Sequence, residues 1–341
     1  MMRTVGKKSE IWQYLIDSDR IVLTTHVRPD GDGIASELAL YFILKDLGKD
    51  VYIVNQDSVP DVYTWLPMSE KIHSLRQHGS ISIDSIDDSI DDPIDLSLLV
   101  DCSSSNRIGK VYDTIKGSRR ILSLDHHEGS ECFRDYCYID TSASSVGELL
   151  YSIVPDIEKR LDRDLATCLY VSIMTDTGSF AYSNTTGKVF RIVSELIEYG
   201  LDPDRIYRLI YNRKRINHFR LLGRALELME ADESGKVISM ILPTRIYQET
   251  GALEDDTEGI LEVIRGLGDM ELIILLRQLD DGNVKCSLRS MKSIDCSHLA
   301  RLFKGGGHLK AAGFVTPGEV EEIGPRIVDR ILREVKERGW V

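Results

Sequence analysis

Histidine and aspartate concentrate at a few places in this chain. The segment His26-Val27-Arg28-Pro29-Asp30-Gly31-Asp32-Gly33 puts an imidazole and two carboxylates within seven residues. Asp101 follows the apolar run Leu96–Val100, Asp125-His126-His127 completes a second run beginning at Arg120, and Asp176 ends the helix-like stretch Leu165–Thr175. Carboxylates are hard oxygen donors and imidazole is a borderline nitrogen donor. A mixed set without thiolate favours Mn²⁺, Fe²⁺, Co²⁺ or Zn²⁺ over a soft metal. Pro29 restricts the residue before it, and Gly31 and Gly33 permit a tight loop that can turn several carboxylates inward. So much negative charge in one place needs a cation or is strongly destabilising. Singly, each feature has a plainer reading: Asp30-Gly31-Asp32-Gly33 as a turn, Asp101 as a helix cap, His126-His127 as surface or core residues. His73, His78, His218 and His298 lack such company and read as structural.

The elements around these residues account for their grouping. Ile21–Thr25, Val51–Val54, Leu96–Val100 and Arg120–Leu124 read as buried strands. Ile34–Leu47, Val146–Ile153 and Leu165–Met174 read as helices, with Gly48 as a stop. Strands alternating with helices predict βαβ units and a mainly parallel sheet, whose ligands bind beyond the carboxyl ends of the strands. Three strands therefore end in His or Asp on the edge where sites form. Gly79–Asp95, rich in Asp, reads as a solvated surface loop.

From Lys188 to Met229 the pattern is helical and suggests a connector. A second α/β pattern follows, with strands at Lys236–Leu242, Met270–Leu279 and Val284–Arg289 and helices at Thr257–Leu267 and Val320–Lys336. The expected division is 1–188, 189–230 and 231–341. Gly305-Gly306-Gly307-His308 is the densest glycine cluster: successive backbone N–H groups can form an anion-binding nest, and His308 can donate to a phosphate. Arg289 ends a strand and offers bidentate phosphate binding. Arg107, close behind Asp101, is a further candidate to face phosphate.

Composition narrows the class. The chain has 341 residues, a net charge of −13 and 42% hydrophobic residues, enough for ordinary globular cores. The negative charge argues against a broad basic face for long nucleic acid. It is compatible with a small anionic substrate if a metal reverses the local field. No apolar run approaches the roughly 20 residues that span a bilayer. The polar, basic stretch Met1–Glu10 has no apolar segment behind it, so no secretion signal is expected. Six cysteines without a CxxC pair read as reduced, packed thiols. A cytoplasmic location is the expectation.

In their order and spacing, His26-x3-Asp30-Gly31-Asp32, Asp101, Asp125-His126-His127 and Asp176 resemble the four motifs of the DHH phosphoesterases, and Gly305-Gly306-Gly307-His308 resembles the signature of the associated DHHA1 domain. The resemblance covers nearly the whole chain and is nearest the branch of bifunctional oligoribonucleases and pAp phosphatases. It implies an N-terminal DHH domain, a helical connector and a smaller α/β DHHA1 domain that binds substrate. It implies two divalent ions, manganese by preference: His26, Asp30 and Asp101 on one, Asp32, Asp101, His126 and Asp176 on the other, with Asp101 as bridge. His127 would face the substrate phosphate, Asp125 would orient the histidines, and Arg289, Gly305–Gly307 and His308 would hold the terminal nucleotide. A water activated between the two metals would attack phosphorus in line, releasing mononucleotides from short oligoribonucleotides or the 3′-phosphate from pAp. A homodimer is implied as well. Many relatives carry a basic residue after the Phe180 position, where this chain has Ala181.

Alternatives share the scaffold. A cyclic-dinucleotide or linear pApA phosphodiesterase would use the same metals. A RecJ-type single-strand exonuclease is disfavoured by the lack of an OB-type module or long basic groove. A family inorganic pyrophosphatase is disfavoured because the glycine-histidine motif replaces its basic ending. A non-catalytic nucleotide sensor would be expected to have lost a ligand, and every position is filled.

Overall fold

Alternation of apolar residues along the N-terminal strands sends side chains into two separate cores. In a computed structural model, the described residues are 4–78, 94–127, 130, 132–257, 259–307 and 309–341. The chain divides into two compact units, Met1–Arg213 and Lys214–Val341.

In chain order the first unit comprises β1 (Thr4–Val5), α1 (Lys8–Ile16), β2 (Arg20–Thr24), α2 (Gly31–Asp46), β3 (Asp50–Asn55), β4 (Ile72–Ser74), α3 (Leu75–His78), β5 (Leu96–Val100), α4 (Val111–Ile115), β6 (Arg120–Asp125), β7 (Tyr136–Asp140), α5 (Val146–Ile153), α6 (Arg163–Asp176), α7 (Gly187–Ile197) and α8 (Pro203–Tyr211). Its seven strands form one sheet in the order β1-β7-β6-β5-β2-β3-β4. Every neighbouring pair is parallel except β1 with β7. Ile21 and Leu23 of β2 face the core under α1, α2, α5 and α6, whereas Val22 faces a second core with Ile108, Val111 and Ile115. Both sheet faces are covered, as a parallel sheet requires.

Strand order fixes where a ligand can bind. From β2 the chain builds outward through β3 and β4, then returns so that β5 lies on the other side of β2. The carboxyl ends of β2 and β5 therefore flank the point where the winding reverses, the place where open α/β sheets hold ligands. His26 follows β2 and Asp101 follows β5.

Helix α2 is buried nearly all round, with twelve of its sixteen residues enclosed. Asp30 caps it, accepting from the Asp32 and Gly33 N–H groups at 3.1 Å each. Gly48 (φ +75°) ends it, with the Lys49 N–H reaching back to the Leu44 carbonyl. Helix α6 crosses α2 closely: a Cβ on Gly31 would lie 2.4 Å from Thr175 Cγ2 and 2.8 Å from Thr175 Cβ.

The second unit comprises α9 (Ile216–Glu227), β8 (Glu230–Ala231), β9 (Val237–Leu242), α10 (Thr244–Thr250), α11 (Ile260–Ile264), β10 (Leu272–Gln278), β11 (Asn283–Ser290), α12 (Cys296–Arg301), β12 (Gly306–Gly307), β13 (Ala311–Pro317) and α13 (Val320–Glu337). Its sheet is mixed, in the order β12-β13-β11-β10-β9-β8, with only β9 and β10 parallel. The predicted helix at Thr257–Leu267 is interrupted: a 3-10 turn at Glu254–Thr257 and the short α11 flank Gly259, whose φ of +91° no helix accommodates. Strands β1, β4, β7, β8, β12 and β13 were not predicted.

Two predictions need comment. Most of the acidic stretch Gly79–Asp95 lies outside the described residues; Asp95 itself accepts from the Asp19 and Arg20 N–H groups. The cysteines differ from the expected set of reduced thiols. Cys132 and Cys137 are joined by a disulfide across a Cα–Cα span of 5.4 Å, which disulfide geometry accommodates. Cys102, Cys168, Cys286 and Cys296 are free and buried.

Replacing Gly31 by Ala is expected to destabilise the protein by about 1–3 kcal/mol, because the new methyl must displace a packed Thr175. Denaturant unfolding monitored by circular dichroism tests this; an unchanged midpoint would show that the α2–α6 contact yields freely.

Candidate metal centre

The His and Asp residues singled out from the first half of the sequence meet at the carboxyl edge of the first sheet. Three groups have ligand atoms within 4.8 Å of one another: His26, Asp30 and Asp101; Asp101, His126 and His127; Asp32, His126 and Asp176. Asp101 is common to two groups and His126 to two. The shortest separations join His126 Nε2 to Asp176 Oδ2 (2.9 Å) and His26 Nε2 to Asp101 Oδ2 (3.3 Å). His126 Nε2 also lies 3.5 Å from both Asp32 Oδ2 and Asp101 Oδ1.

Each side chain is held from behind. Asp32 is fully buried at the first turn of α2; its Oδ2 accepts from the Val146 N–H (2.8 Å), at the start of α5, and its Oδ1 from Ser36 Oγ (2.9 Å) and Ser172 Oγ. His26 Nδ1 lies 2.9 Å from the Val27 carbonyl, which fixes Nδ1 as donor, so that Nε2 is the atom that can ligate once the ring is neutral. Asp101 adopts a left-handed conformation (φ +59°) that Asp tolerates better than most residues, and its N–H donates to the Leu124 carbonyl. Asp125 receives the N–H groups of His126 (2.8 Å) and His127 (3.2 Å) and stands 2.8 Å from His127 Nδ1. Asp176 is the last residue of α6, where the helix dipole disfavours a carboxylate.

Despite these close approaches, His26 Nε2, His126 Nε2 and both oxygens of Asp101 are buried without a hydrogen-bond partner among the described residues. Buried polar groups are ordinarily satisfied. Unsatisfied ligand atoms of two imidazoles and a carboxylate, converging on one spot, are what a cation would satisfy. The residues present therefore fit a metal.

Charge leads to the same conclusion. Five carboxylates face at most three imidazolium charges. Two carboxylates with oxygens within 4.8 Å of one another repel by at least about 3 kcal/mol at an effective dielectric near 20. Burial works against charge on His26 and His126, but the surrounding aspartates outweigh it: Asp101 and Asp30 hold His26 up to about 10, and Asp101 and Asp176 hold His126 up to about 12. Burial and the neighbouring Asp101 push Asp32 and Asp176 above the usual carboxylate range, while Asp101 itself, though buried, is drawn down by His126 and His26. Burial opposes charge on His127 too, but Asp125 outweighs it and raises the imidazole.

The sequence did not single out the supporting groups. Glu37 on α2 is fully buried; burial pushes it up to about 8, against the amide of Asn55, which donates to its Oε2 at 2.8 Å. Asn55 Oδ1 in turn accepts from the Thr25 N–H, just before His26. Asn55 ends β3 on the ligand edge, and Ser36 and Ser172 stand four residues from Asp32 and Asp176 on the same helices. Strand-end position and helical spacing would have found all three.

Arg107 is half-buried beside the cluster's second loop: its carbonyl accepts from the Val27 N–H at 2.6 Å, and no carboxylate pairs with its guanidinium among the described residues. In the second unit, Arg289 lies on β11 opposite Ile273 and Ala311, also without a carboxylate partner among the described residues. Gly306 and Gly307 form β12 against β13, and the Gly305 N–H already donates to the Ala300 carbonyl, so these glycines present fewer free N–H groups than an open nest. His308 lies outside the described residues. A cavity of about 320 Å³ lined by Trp65, Arg163, Thr167 and Arg205 holds none of the predicted residues; Thr167 is about 13 Å along α6 from Asp176.

Metal binding requires neutral imidazole. With His26 and His126 held near 10 and 12, both are protonated at pH 7 in the metal-free protein. Their charge stabilises that fold fully below the unfolded histidine pKa of about 6.5, and the contribution fades as pH rises through 10 to 12. Titration with Mn²⁺ at pH 7 is expected to release about two protons, with affinity rising with pH. Calorimetry in buffers of different ionisation enthalpy measures this; a buffer-independent heat would contradict it.

Comparison with known proteins finds two domain families along the chain. The N-terminal domain of the DHH family matches residues 20–173, and the DHHA1 domain matches residues 235–337. The bifunctional oligoribonuclease and PAP phosphatase NrnA of Thermus thermophilus is 27% identical over 326 residues, covering 94% of this chain and 92% of that protein. Its namesake in Bacillus subtilis is 25% identical over 311 residues, covering 90% and 92%. An exopolyphosphatase-related protein from Bacteroides fragilis superposes with a TM-score of 0.86 at 28% identity, over 97% of this chain and 96% of that one. RecJ of Thermus thermophilus, solved with Mn²⁺, shares the fold at a TM-score of 0.50 and 16% identity, over 97% of this chain and 54% of that one. With a DHH domain followed by a DHHA1 domain, the chain belongs to the DHH family of metal-dependent phosphoesterases.

Proposed function

We propose that this enzyme is manganese-dependent and hydrolyses short oligoribonucleotides to mononucleotides, removes the 3′-phosphate of pAp, or does both. The observation that supports this most is the convergence of unsatisfied His26 Nε2, His126 Nε2 and both Asp101 oxygens within a ring of carboxylates. The relatives at 25–27% identity over most of the chain carry the oligoribonuclease and PAP phosphatase name.

In this reading His26, Asp30 and Asp101 would hold one ion, and Asp32, Asp101, His126 and Asp176 would hold the other. When bound, the pair supplies Lewis acidity and a water of lowered pKa for in-line displacement at phosphorus. The protein's own groups do the positioning. Asp125 keeps the proton on His127 Nδ1, so the imidazolium form presents Nε2–H to a phosphoryl oxygen as charge develops there. Arg107 offers a planar donor pair to a second oxygen. The buried Ser36, Ser172 and Val146 donors hold Asp32 in one orientation. We assign substrate binding in the second unit to Arg289, Gly305–Gly307 and His308, where Arg289 supplies the charge. The net charge of −13 suits small substrates, whose phosphates meet the metals directly, better than long chains.

A 5′-labelled ribo-trimer incubated with the protein and Mn²⁺ is expected to yield mononucleotides stepwise. Asp101→Ala is expected to reduce the rate by at least about 1000-fold, on the order of 4 kcal/mol. Arg289→Ala is expected to raise KM by about 10- to 100-fold, the loss of one charge-assisted hydrogen bond. An intact trimer together with intact pAp would refute the proposed substrates; an unchanged KM for Arg289→Ala would refute the role given to the second unit.

A further inference from the structure

The turn that carries His26 and Asp30 is held in a conformation its own sequence disfavours. Arg28 precedes Pro29, and a residue before proline is ordinarily extended. Arg28 instead has a φ of +53°, a left-handed conformation that is costly for a residue with a side chain. That conformation belongs to a turn that brings His26 Nε2 within 3.8 Å of Asp30 Oδ1, and both into one group with Asp101. Were the segment extended, the Cα atoms of His26 and Asp30 would stand roughly 13 Å apart.

The hold comes from outside the turn. Strand β3 lies beside β2, and none of the residues that follow it is among the ligands assigned above. Yet three consecutive side chains at its end each hold the backbone of a loop at the site. Asn55 Oδ1 accepts from the Thr25 N–H at 3.0 Å, Gln56 Oε1 from the Lys110 N–H at 2.8 Å, and Asp57 Oδ2 from the Arg28 N–H at 2.7 Å. Of these three donors only Arg28 has a positive φ. Asp57 is also the one acceptor of the three that carries charge, and a carboxylate makes a stronger hydrogen bond than a neutral amide. Its other oxygen, Oδ1, accepts from Arg76 Nη1 at 3.1 Å. Arg76 is largely exposed, so that ion pair adds little of its own.

We propose that Asp57 is a positioning residue for the ion assigned to His26 and Asp30. Its carboxylate stabilises the left-handed backbone of Arg28 and so keeps the two ligands together. This rests on the paired-metal reading above and adds what sets the geometry at one of the two ions. The other ion draws Asp32 from α2, where Ser36, Ser172 and Val146 brace it, and its remaining ligands from other loops. Asp57 therefore acts on one ion and not on the other.

The test is a Mn²⁺ titration of the full chain monitored by the electron paramagnetic resonance of free Mn²⁺, which counts bound ions independently of activity. Wild type is expected to bind two. Asp57→Ala is expected to weaken one of them by about 10- to 100-fold, the usual cost of removing a group that orients a ligand, and to leave the other unchanged. Asp57→Asn keeps an acceptor oxygen and Arg76→Ala keeps the carboxylate; both are expected to bind as wild type does. Glycine adopts positive φ about as readily as negative. In an Arg28→Gly background the same Asp57→Ala change is therefore expected to cost only a few-fold. Unchanged affinities in Asp57→Ala would overturn the assignment. An equal loss at both ions with a lowered unfolding midpoint would mean general destabilisation and overturn it too. So would a loss as large in Asp57→Asn, which would mean an effect of charge, or a loss as large in the Arg28→Gly background, which would show that Asp57 does not act through that backbone. Wild type binding fewer than two ions would instead overturn the paired-metal reading, and this assignment with it.

Discussion

Negative charge confined at the reversal point of a parallel sheet governs the first unit. Asp101 sits where β5 ends, 1% exposed, with neither oxygen hydrogen-bonded among the described residues, and Asp32 sits beside it with no exposure at all. Buried carboxylates in such numbers are tolerable only beside compensating charge. The metal-free protein answers with imidazolium on His26 and His126, and the family chemistry answers with divalent cations. Much of the rest of the unit follows from holding those two carboxylates in place. The α5 N-terminus supplies an N–H to Asp32, α2 is sunk into the core so that its first turn can present Asp30 and Asp32, and α6 runs its full length to deliver Asp176.

That arrangement uses the ends of helices in opposite ways. At the N-terminus of α2 the dipole favours Asp30 and Asp32; at the C-terminus of α6 it disfavours Asp176. Placing a carboxylate at the unfavourable end is costly without a cation and cheap with one. In the metal-free fold the cation is the His126 imidazolium, 2.9 Å from the Asp176 carboxylate. The same logic explains why Asp176 is raised by burial while Asp101, between two imidazoles, is lowered. Neighbouring groups of one chemical type are driven apart by position alone.

Much of this was legible in the sequence, for a physical reason. Strands of a doubly covered parallel sheet are apolar throughout, so Ile21–Leu23, Leu96–Val100 and Ile121–Leu124 stand out, and the first charged residues beyond them fall on the ligand edge. Local spacing was informative where ligands share an element, as with Asp30 and Asp32 on α2. It was silent on long-range closure. The strand order that sets β5 beside β2, the left-handed backbone of Asp101 and the Ser172–Asp32 contact across 140 residues have no local signature. Nor did spacing reveal the Cys132–Cys137 disulfide, which depends on a return of the chain into β7. Gly259 was visible as a residue, but only its positive φ shows why the helix predicted across it is broken.

The most direct test of the central claim is anomalous diffraction from crystals grown with Mn²⁺, collected on both sides of the manganese edge. Two peaks are expected, one against His26, Asp30 and Asp101 and one against Asp32, Asp101, His126 and Asp176, with Asp101 in contact with both. A single peak away from Asp101, or no peak at saturating Mn²⁺, would contradict the reading of this cluster as a paired metal centre.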